Sequence, residues 1–198
     1  MKKYVFILVL IAFTACKTQI IPNFESSSYF YENDIMDNRN VHKNNTVLYF
    51  IRHAQAKEKN SYDDPSLSLK GKEKVKKYIS YFKDKRLDSV FSTSFNRASQ
   101  TGKSIANSKK IGFEYYNPNT LNERDWVKRN KGKAILFIGH SNTCPEMVNR
   151  FIGRMRFTQV MDDNYSDIYR VIISKDEIYA DILTLEDEIR SREVLAKQ

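Results

Sequence analysis

Cysteine, glycine, proline and histidine are scarce in this sequence. The 198 residues include two cysteines, six glycines, four prolines and three histidines. Two cysteines exclude a disulfide-rich scaffold, and neither a paired-cysteine zinc motif nor an HExxH helix is present. A glycine-rich nucleotide loop is missing as well. We therefore expect neither a metal nor a cofactor, and stability must come from a hydrophobic core.

The longest apolar stretch is too short to cross a bilayer. It runs from Tyr4 to Ala15, whereas a spanning helix needs about 20 residues. It follows the charged Lys2 and Lys3 and ends before Cys16, a pattern that resembles a bacterial lipoprotein signal. The resemblance implies removal of residues 1–15 and acylation of Cys16. An ordinary secretory signal or an uncleaved N-terminal anchor are the alternatives.

Composition and charge favour one globular domain with short extensions. Hydrophobic residues make up 41% of the chain, and the formal net charge of +9 fits an anionic partner without identifying it. Residues 16–45 are polar and lack a sustained period, so we interpret them as a tether after a lipidated Cys16. We expect the folded domain over residues 46–186 and a charged C-terminal tail over residues 187–198.

Hydrophobic periodicity predicts alternating strands and helices within the domain. Helices are predicted after the N-cap Ser68, from 96 to about 106, and around Pro145 with Gly153 as the stop. The strands are predicted at 47–51, 89–91, 113–116 and 134–138, with a closing hairpin of 167–174 and 177–184. This alternation is typical of a single three-layer α/β/α domain with a mainly parallel sheet.

Two of the three histidines directly follow the two most apolar predicted strands. His53 comes after the first of them and His140 after the second. Ligands bind beyond the carboxyl ends of strands in open parallel sheets, so neighbouring strands would bring both imidazoles to one crevice. Cys144 lies one turn after His140 without the arginine-containing loop of a cysteine phosphatase, and we assign it to the core.

Four segments follow one another along the chain in a recognisable order: 52–55 (RHAQ), 64–71 (DPSLSLKG), 92–101 (STSFNRASQT) and 138–142 (IGHSN). Together they resemble the histidine phosphatase superfamily, also called phosphoglycerate mutase-like. The short chain is most similar to its small bacterial phosphatase type. Any one of them could occur by chance, whereas all four in register form a specific signal.

The resemblance assigns roles that agree with the chemistry of phosphoryl transfer. Such transfer through histidine needs an unprotonated imidazole nitrogen and fixed positive charge for the phosphate oxygens. His53 is then the nucleophile, Arg52 and Arg97 provide planar donor groups, and His140 provides another donor. Glu123 is the candidate proton donor to the leaving group. It could equally be an acidic residue favoured near a helix start.

These assignments predict a metal-independent phosphatase that forms phosphohistidine on His53 and hydrolyses phosphomonoesters or phosphoramidates. The expected partners are a phosphorylated small molecule or phosphoprotein as substrate and, through lipid on Cys16, a membrane, with no nucleic acid. The expected location is the cell envelope, on the periplasmic or outer-surface side. The alternatives are a phosphoglycerate-mutase-like phosphotransferase and a non-catalytic envelope lipoprotein that binds an anionic ligand.

Overall fold

A six-stranded sheet flanked by four helices forms the framework of the part of the chain that the computed structural model describes, residues 45–58 and 64–186. The strands are β1 Thr46–Arg52, β2 Ser89–Ser92, β3 Gly112–Tyr115, β4 Ala134–Gly139, β5 Asp167–Ile173 and β6 Ile178–Thr184. The helices are α1 Leu69–Phe82, α2 Asn96–Lys109, α3 Glu123–Arg129 and α4 Thr143–Ile152.

The sheet is mainly parallel, as the sequence predicted. Its strand order is β3-β2-β4-β1-β5-β6, in which β3, β2, β4 and β1 pair in parallel. The predicted hairpin β5–β6 joins the edge of β1 in antiparallel orientation. In the β1–β4 register Arg52 lies opposite Gly139. The two residues that follow, His53 and His140, therefore leave the sheet side by side.

Two hydrophobic cores, one on each face of the sheet, establish the three-layer architecture. Side chains of β1 alternate between them: Tyr49 packs with residues of α1 and α2, whereas Phe50 packs with residues of α3 and α4. All five residues from Val47 to Ile51 are at most 1% exposed. Burial on both faces explains why this strand reads as a continuous apolar run instead of an alternating one.

Two of the predicted helix boundaries are confirmed by their capping geometry. Ser68 precedes α1, and its hydroxyl oxygen accepts a hydrogen bond from the Gly71 amide at 3.0 Å. Gly153 ends α4 in the left-handed region with φ of 71°, a conformation that glycine adopts without steric cost.

The predicted end of α2 and the position of β3 are each shifted. The helix continues to Lys109 instead of ending at 106. There the Lys109 ammonium donates hydrogen bonds to three carbonyl groups just after α1, those of Phe82, Lys83 and Lys85. This tertiary contact stabilises a last turn that local propensity does not predict. Strand β3 begins and ends one residue earlier than predicted.

The predicted signal peptide at 1–15, the tether from Cys16 to residue 44 and the tail at 187–198 lie outside the described residues. Strand β1 begins at Thr46, where the sequence predicted the start of the domain. Within residues 45–58 and 64–186, no helix combines the length and the apolar character needed to cross a membrane.

Candidate active site

A cavity of about 820 Å³ opens where β1, β2 and β4 end, and it gathers four of the predicted site residues. Arg52 and His53 come from the end of β1, Arg97 from the first turn of α2, and His140 from the end of β4. These side chains are up to 88 positions apart along the chain, from residue 52 to residue 140. The order of the sheet strands brings them together, as expected for a crevice at strand carboxyl ends.

Both ring nitrogens of His53 have defined partners, and this fixes its tautomer. The side chain is buried, at 6% exposure. Nδ1 lies 2.8 Å from the Ala54 carbonyl oxygen, which can only accept, so Nδ1 carries the proton. Nε2 accepts a hydrogen bond from Arg97 Nε at 3.0 Å. His53 therefore presents an unprotonated Nε2 to the cavity.

The surroundings of His53 strongly favour its neutral form. Burial lowers the pKa of His53 to about 3, and the charges of His140, Arg97 and Arg52 act in the same direction. The hydrogen bond to the Ala54 carbonyl opposes this shift without cancelling it. The imidazole is consequently unprotonated at neutral pH, which is the state that nucleophilic attack requires.

Arg97 lies at the centre of the site, and each of its three side-chain nitrogens has an acceptor. Nε donates to His53 Nε2 at 3.0 Å, Nη2 faces His140 Nδ1 at 3.5 Å, and Nη1 donates to Asp64 Oδ1 at 3.3 Å. The Phe95 ring covers the guanidinium, with 4.7 Å from the ring centroid to the guanidinium carbon. The three hydrogen bonds fix the plane of the Arg97 guanidinium, and the Phe95 ring packs against one face of it.

His140 stands next to His53, with ring centroids 5.1 Å apart. Because Arg97 can only donate, His140 Nδ1 is the acceptor of their contact, and Nε2 donates to Thr93 Oγ1 at 3.0 Å. The sequence predicted His140 as a phosphate donor. In the ligand-free arrangement its ring proton is directed to Thr93, and a second proton on Nδ1 is needed for donation into the cavity.

Arg52 also lines the cavity, but part of its donor capacity is used within the protein. Nη1 donates to the carbonyl groups of Met161, Asp162 and Asn164 at 3.2, 2.8 and 3.2 Å. The guanidinium carbon lies 4.0 Å from the centroid of the Tyr165 ring. Its Nε is buried and has no hydrogen-bond partner among the described residues.

The structure does not bring Glu123 into the cavity. It is the first residue of α3, where acidic side chains are favoured by the helix dipole. Its carboxylate pairs with Arg150 at 2.5 Å, and Arg150 also donates to the carbonyl groups of Pro118 and Leu121. These contacts hold Glu123 away from the residues that line the cavity. The geometry supports the helix-start interpretation and disagrees with the predicted role as general acid.

Three groups at the site had no role in the sequence analysis. Thr93 lies within a segment that suggested the family, yet nothing local shows that it orients His140. The Ala54 carbonyl fixes the tautomer of His53. Because every residue has a backbone carbonyl, the identity of residue 54 could not have indicated this role. Tyr165 lies between α4 and β5 in an irregular stretch without periodicity and lines the cavity beside Arg52.

Neither metal nor thiol chemistry has a supporting site in the described part of the chain. No group of three or more His, Cys, Asp or Glu side chains there could hold a metal ion. Cys144 is 2% exposed, and burial raises the pKa of its thiol to about 12. It is therefore a neutral core side chain at physiological pH.

Solved structures share this fold at low sequence identity. The protein histidine phosphatase SixA in complex with tungstate superimposes with a TM-score of 0.59 at 16% identity, covering 71% of this chain and 98% of SixA. The alpha-ribazole phosphatase of Shigella flexneri gives 0.54 at 14% identity, covering 70% and 96%. A phosphoserine phosphatase mutant of Entamoeba histolytica with phosphoserine gives 0.52 at 15%, covering 71% and 98%. No curated protein sequence matches the chain significantly.

A family model matches part of the chain. The model of the histidine phosphatase superfamily (branch 1) matches residues 48–135, a stretch that includes His53 and Arg97. The likenesses to solved structures establish the phosphoglycerate mutase-like fold. The chain is thus similar to the histidine phosphatase superfamily over residues 48–135 and has a phosphoglycerate mutase-like fold.

Proposed function

We propose that this protein is a phosphatase that transfers a phosphoryl group from its substrate to Nε2 of His53 and then to water. The observation that carries the proposal is the state of His53. Its Nε2 is unprotonated, faces the cavity and lies 3.0 Å from the Arg97 guanidinium. A neutral nucleophile beside fixed positive charge suits attack on an anionic phosphate.

In the first step, His53 Nε2 attacks phosphorus in line with the leaving group. The N–P bond forms while the bond from phosphorus to the leaving oxygen or nitrogen breaks, and the leaving group keeps the electron pair. Arg97 must exchange its hydrogen bond to Nε2 for one to a phosphate oxygen, because the lone pair of Nε2 is the attacking pair. The Arg52 guanidinium, which also lines the cavity, can donate to the same group.

In the second step, water attacks the phosphorus of phosphohistidine. The N–P bond breaks, its electron pair returns to Nε2, and the water loses a proton as inorganic phosphate forms. His53 regains the neutral state that its burial favours. His140, at a ring distance of 5.1 Å from His53, can donate to an equatorial phosphate oxygen once the phosphate dianion favours a proton on its Nδ1.

The residues lining the cavity point to substrates with good leaving groups. Among the described residues, none that lines the cavity is an aspartate or a glutamate. General acid catalysis by a positioned side chain is worth about 10²- to 10⁴-fold. Without it, phosphoramidates, whose nitrogen protonates readily, and aryl phosphates should react much faster than alkyl phosphates.

Covalent labelling tests the nucleophile. Acid-sensitive, base-stable phosphate should accumulate on the wild-type protein after a short reaction with phosphoramidate. His53→Ala should abolish this label. The control is His42→Ala, which changes the third histidine of the sequence, within the predicted tether, and should retain the label. Equal labelling of wild type and His53→Ala would remove His53 from the mechanism.

Rates with a series of leaving groups test the substrate class. We expect kcat/KM to fall steeply from 4-nitrophenyl phosphate to phenyl phosphate and then to ethyl phosphate. Phosphate transfer to a second hydroxyl of a sugar acid should be absent, in contrast to a mutase. A flat dependence on the leaving group would show that an acid outside the lining described above takes part.

The membrane anchor is a separate part of the proposal. The order Lys2-Lys3, apolar stretch and Cys16 supports acylation of Cys16 and tethering outside the cytoplasm. Several acyl chains would hold the protein firmly, at about 0.8 kcal/mol per buried methylene. A radiolabelled fatty acid should be incorporated into the wild-type protein in bacteria and not into Cys16→Ala. Incorporation into both would contradict this anchor.

A further inference from the structure

Asp64 uses all of its oxygen atoms to hold the start of α2. Carboxylate Oδ2 accepts a hydrogen bond from the Asn96 amide at 2.8 Å, and Oδ1 accepts one from Arg97 Nη1 at 3.3 Å. The Asp64 carbonyl oxygen accepts a third from Asn96 Nδ2 at 2.9 Å. Asp64 is therefore fastened to the first residue of the helix and, through the same carboxylate, to the guanidinium of the second.

The other two acceptors of Arg97 are the imidazoles that the proposed reaction uses. His53 Nε2 must release its hydrogen bond to Arg97 before it can attack phosphorus. His140 Nδ1 must stop accepting if it is to donate to phosphate. Asp64 is the one of the three partners whose contact with Arg97 the proposed reaction does not require to change. Its carboxylate does not line the cavity.

We propose that Asp64 is the positioning residue for Arg97, holding the guanidinium in its phosphate-facing orientation while the two histidines exchange partners. The inference rests on the proposed function and adds a residue to it. Asp64 acts through Arg97 because it makes no contact with the cavity itself. A carboxylate on the far nitrogen fixes the plane of the guanidinium, and the catalytic value of such orientation is large.

The chain offers a matched control in Asp88. One carboxylate oxygen of Asp88 accepts a hydrogen bond from the Ala134 amide at 2.7 Å, and the same group pairs with Arg86 at 2.9 Å. Asp88 thus combines a backbone amide and an arginine as Asp64 does, with 32% of its side chain exposed against 39% for Asp64. It does not line the cavity.

The first measurement is the rate at which His53 becomes phosphorylated in a single turnover with phosphoramidate. We expect Asp64→Asn to slow this rate about tenfold, with Asp88→Asn within about twofold of wild type. Thermal unfolding of both variants should shift by similar amounts, which separates loss of a capping interaction from loss of catalysis. A wild-type rate in Asp64→Asn would overturn the inference.

The second measurement repeats the substitution in an Arg97→Ala background. A residue that acts by positioning Arg97 has nothing left to position, so Asp64→Asn should cause no further slowing there. The same tenfold factor in both backgrounds would show an independent role and overturn the inference. Failure of the wild-type protein and Asp88→Asn to label at all would instead contradict the proposed function, and this inference with it.

Discussion

Arg52 and Arg97, the two arginines that line the cavity, are held by different kinds of hydrogen-bond acceptor. Arg97 donates to a carboxylate and two imidazoles, groups that can change protonation or react. Arg52 donates to three backbone carbonyl groups and stacks on Tyr165. Carbonyl groups neither titrate nor leave. Arg52 therefore supplies a constant charge, whereas the hydrogen bonds of Arg97 are available for exchange with a phosphate.

The difference assigns a separate task to each side of the cavity. On the Arg97 side, binding of phosphate replaces existing hydrogen bonds, so the cost of breaking them is offset by new ones to the anion. On the Arg52 side, the guanidinium places its charge at the cavity while Nη1 keeps the segment from Met161 to Asn164 in place. The four predictions that follow test this division, from the largest expected effect to the smallest.

Removal of the Arg97 guanidinium should have the largest effect. We expect Arg97→Ala to lower kcat/KM for 4-nitrophenyl phosphate on the order of 10³-fold, because a charged donor to the transferred group is lost. Arg97→Lys should recover little, since an ammonium lacks the planar, bidentate donor geometry that a guanidinium offers to phosphate. Steady-state kinetics measure both, and a loss below tenfold in Arg97→Ala would contradict a central role for this group.

Arg52→Lys should lower kcat/KM on the order of 10²-fold and loosen the neighbouring segment. A lysine lacks the planar guanidinium that stacks on Tyr165 while it donates to the neighbouring carbonyl groups. Hydrogen exchange of residues 160–165 and kcat/KM measure the two consequences. The control is Arg156→Lys, because Arg156 also donates to a backbone carbonyl, that of Ala180 at 2.7 Å, and does not line the cavity. It should change kcat/KM less than about threefold.

The burial of His53, together with the positive charges on both sides, should make stability depend on pH. Its pKa is about 3 in the folded protein and about 6.5 when unfolded. The unfolded chain therefore binds the extra proton as pH falls below 6.5, and this contribution to stability is lost progressively toward pH 3. Between about pH 6 and pH 4.5, wild type should lose about 2 kcal/mol more than His53→Asn. Urea unfolding measures this difference, and parallel pH curves would contradict it.

Glu123→Gln should have the smallest effect, because Glu123 belongs to neither side of the cavity. Loss of its pairing with Arg150 should reduce the free energy of unfolding by about 1 kcal/mol. We expect kcat/KM to stay within about twofold of wild type. Glu146→Gln, in the exposed first turn of α4, is the matched control. A large loss of activity with alkyl phosphates alone would restore Glu123 as the general acid.

Much of the fold was predictable because its central elements carry strong local signals. Strands β1 and β4 are uninterrupted apolar runs, and helix α1 combines an N-cap at Ser68 with a regular apolar stripe. The meeting of His53 and His140 follows from such strands and from a general rule about their carboxyl ends. Local signals did not predict helix α3 or the exact ends of several elements, among them α2 and β3.

The remainder of the site depended on contacts between residues far apart in the sequence. Arg52 and Asn164 are 112 residues apart, and no periodicity connects them. Helix α3 has seven residues, too few for a reliable pattern, and Arg150 from α4 fixes the direction of Glu123. The hydrogen bond between Asp64 and Arg97 could not be predicted from local sequence either, although both residues lie in segments that suggested the family.

Direct pairing of β1 with β4 in parallel register has a consequence for the tolerance of this site to change. Neighbouring strands lie about 4.8 Å apart, and the two imidazole centroids lie 5.1 Å apart. The distance between the two imidazole centroids is thus close to the spacing between neighbouring strands. Grafts or insertions in the connecting segments should leave this spacing intact, whereas deletion of one residue from either strand would turn its histidine to the opposite face.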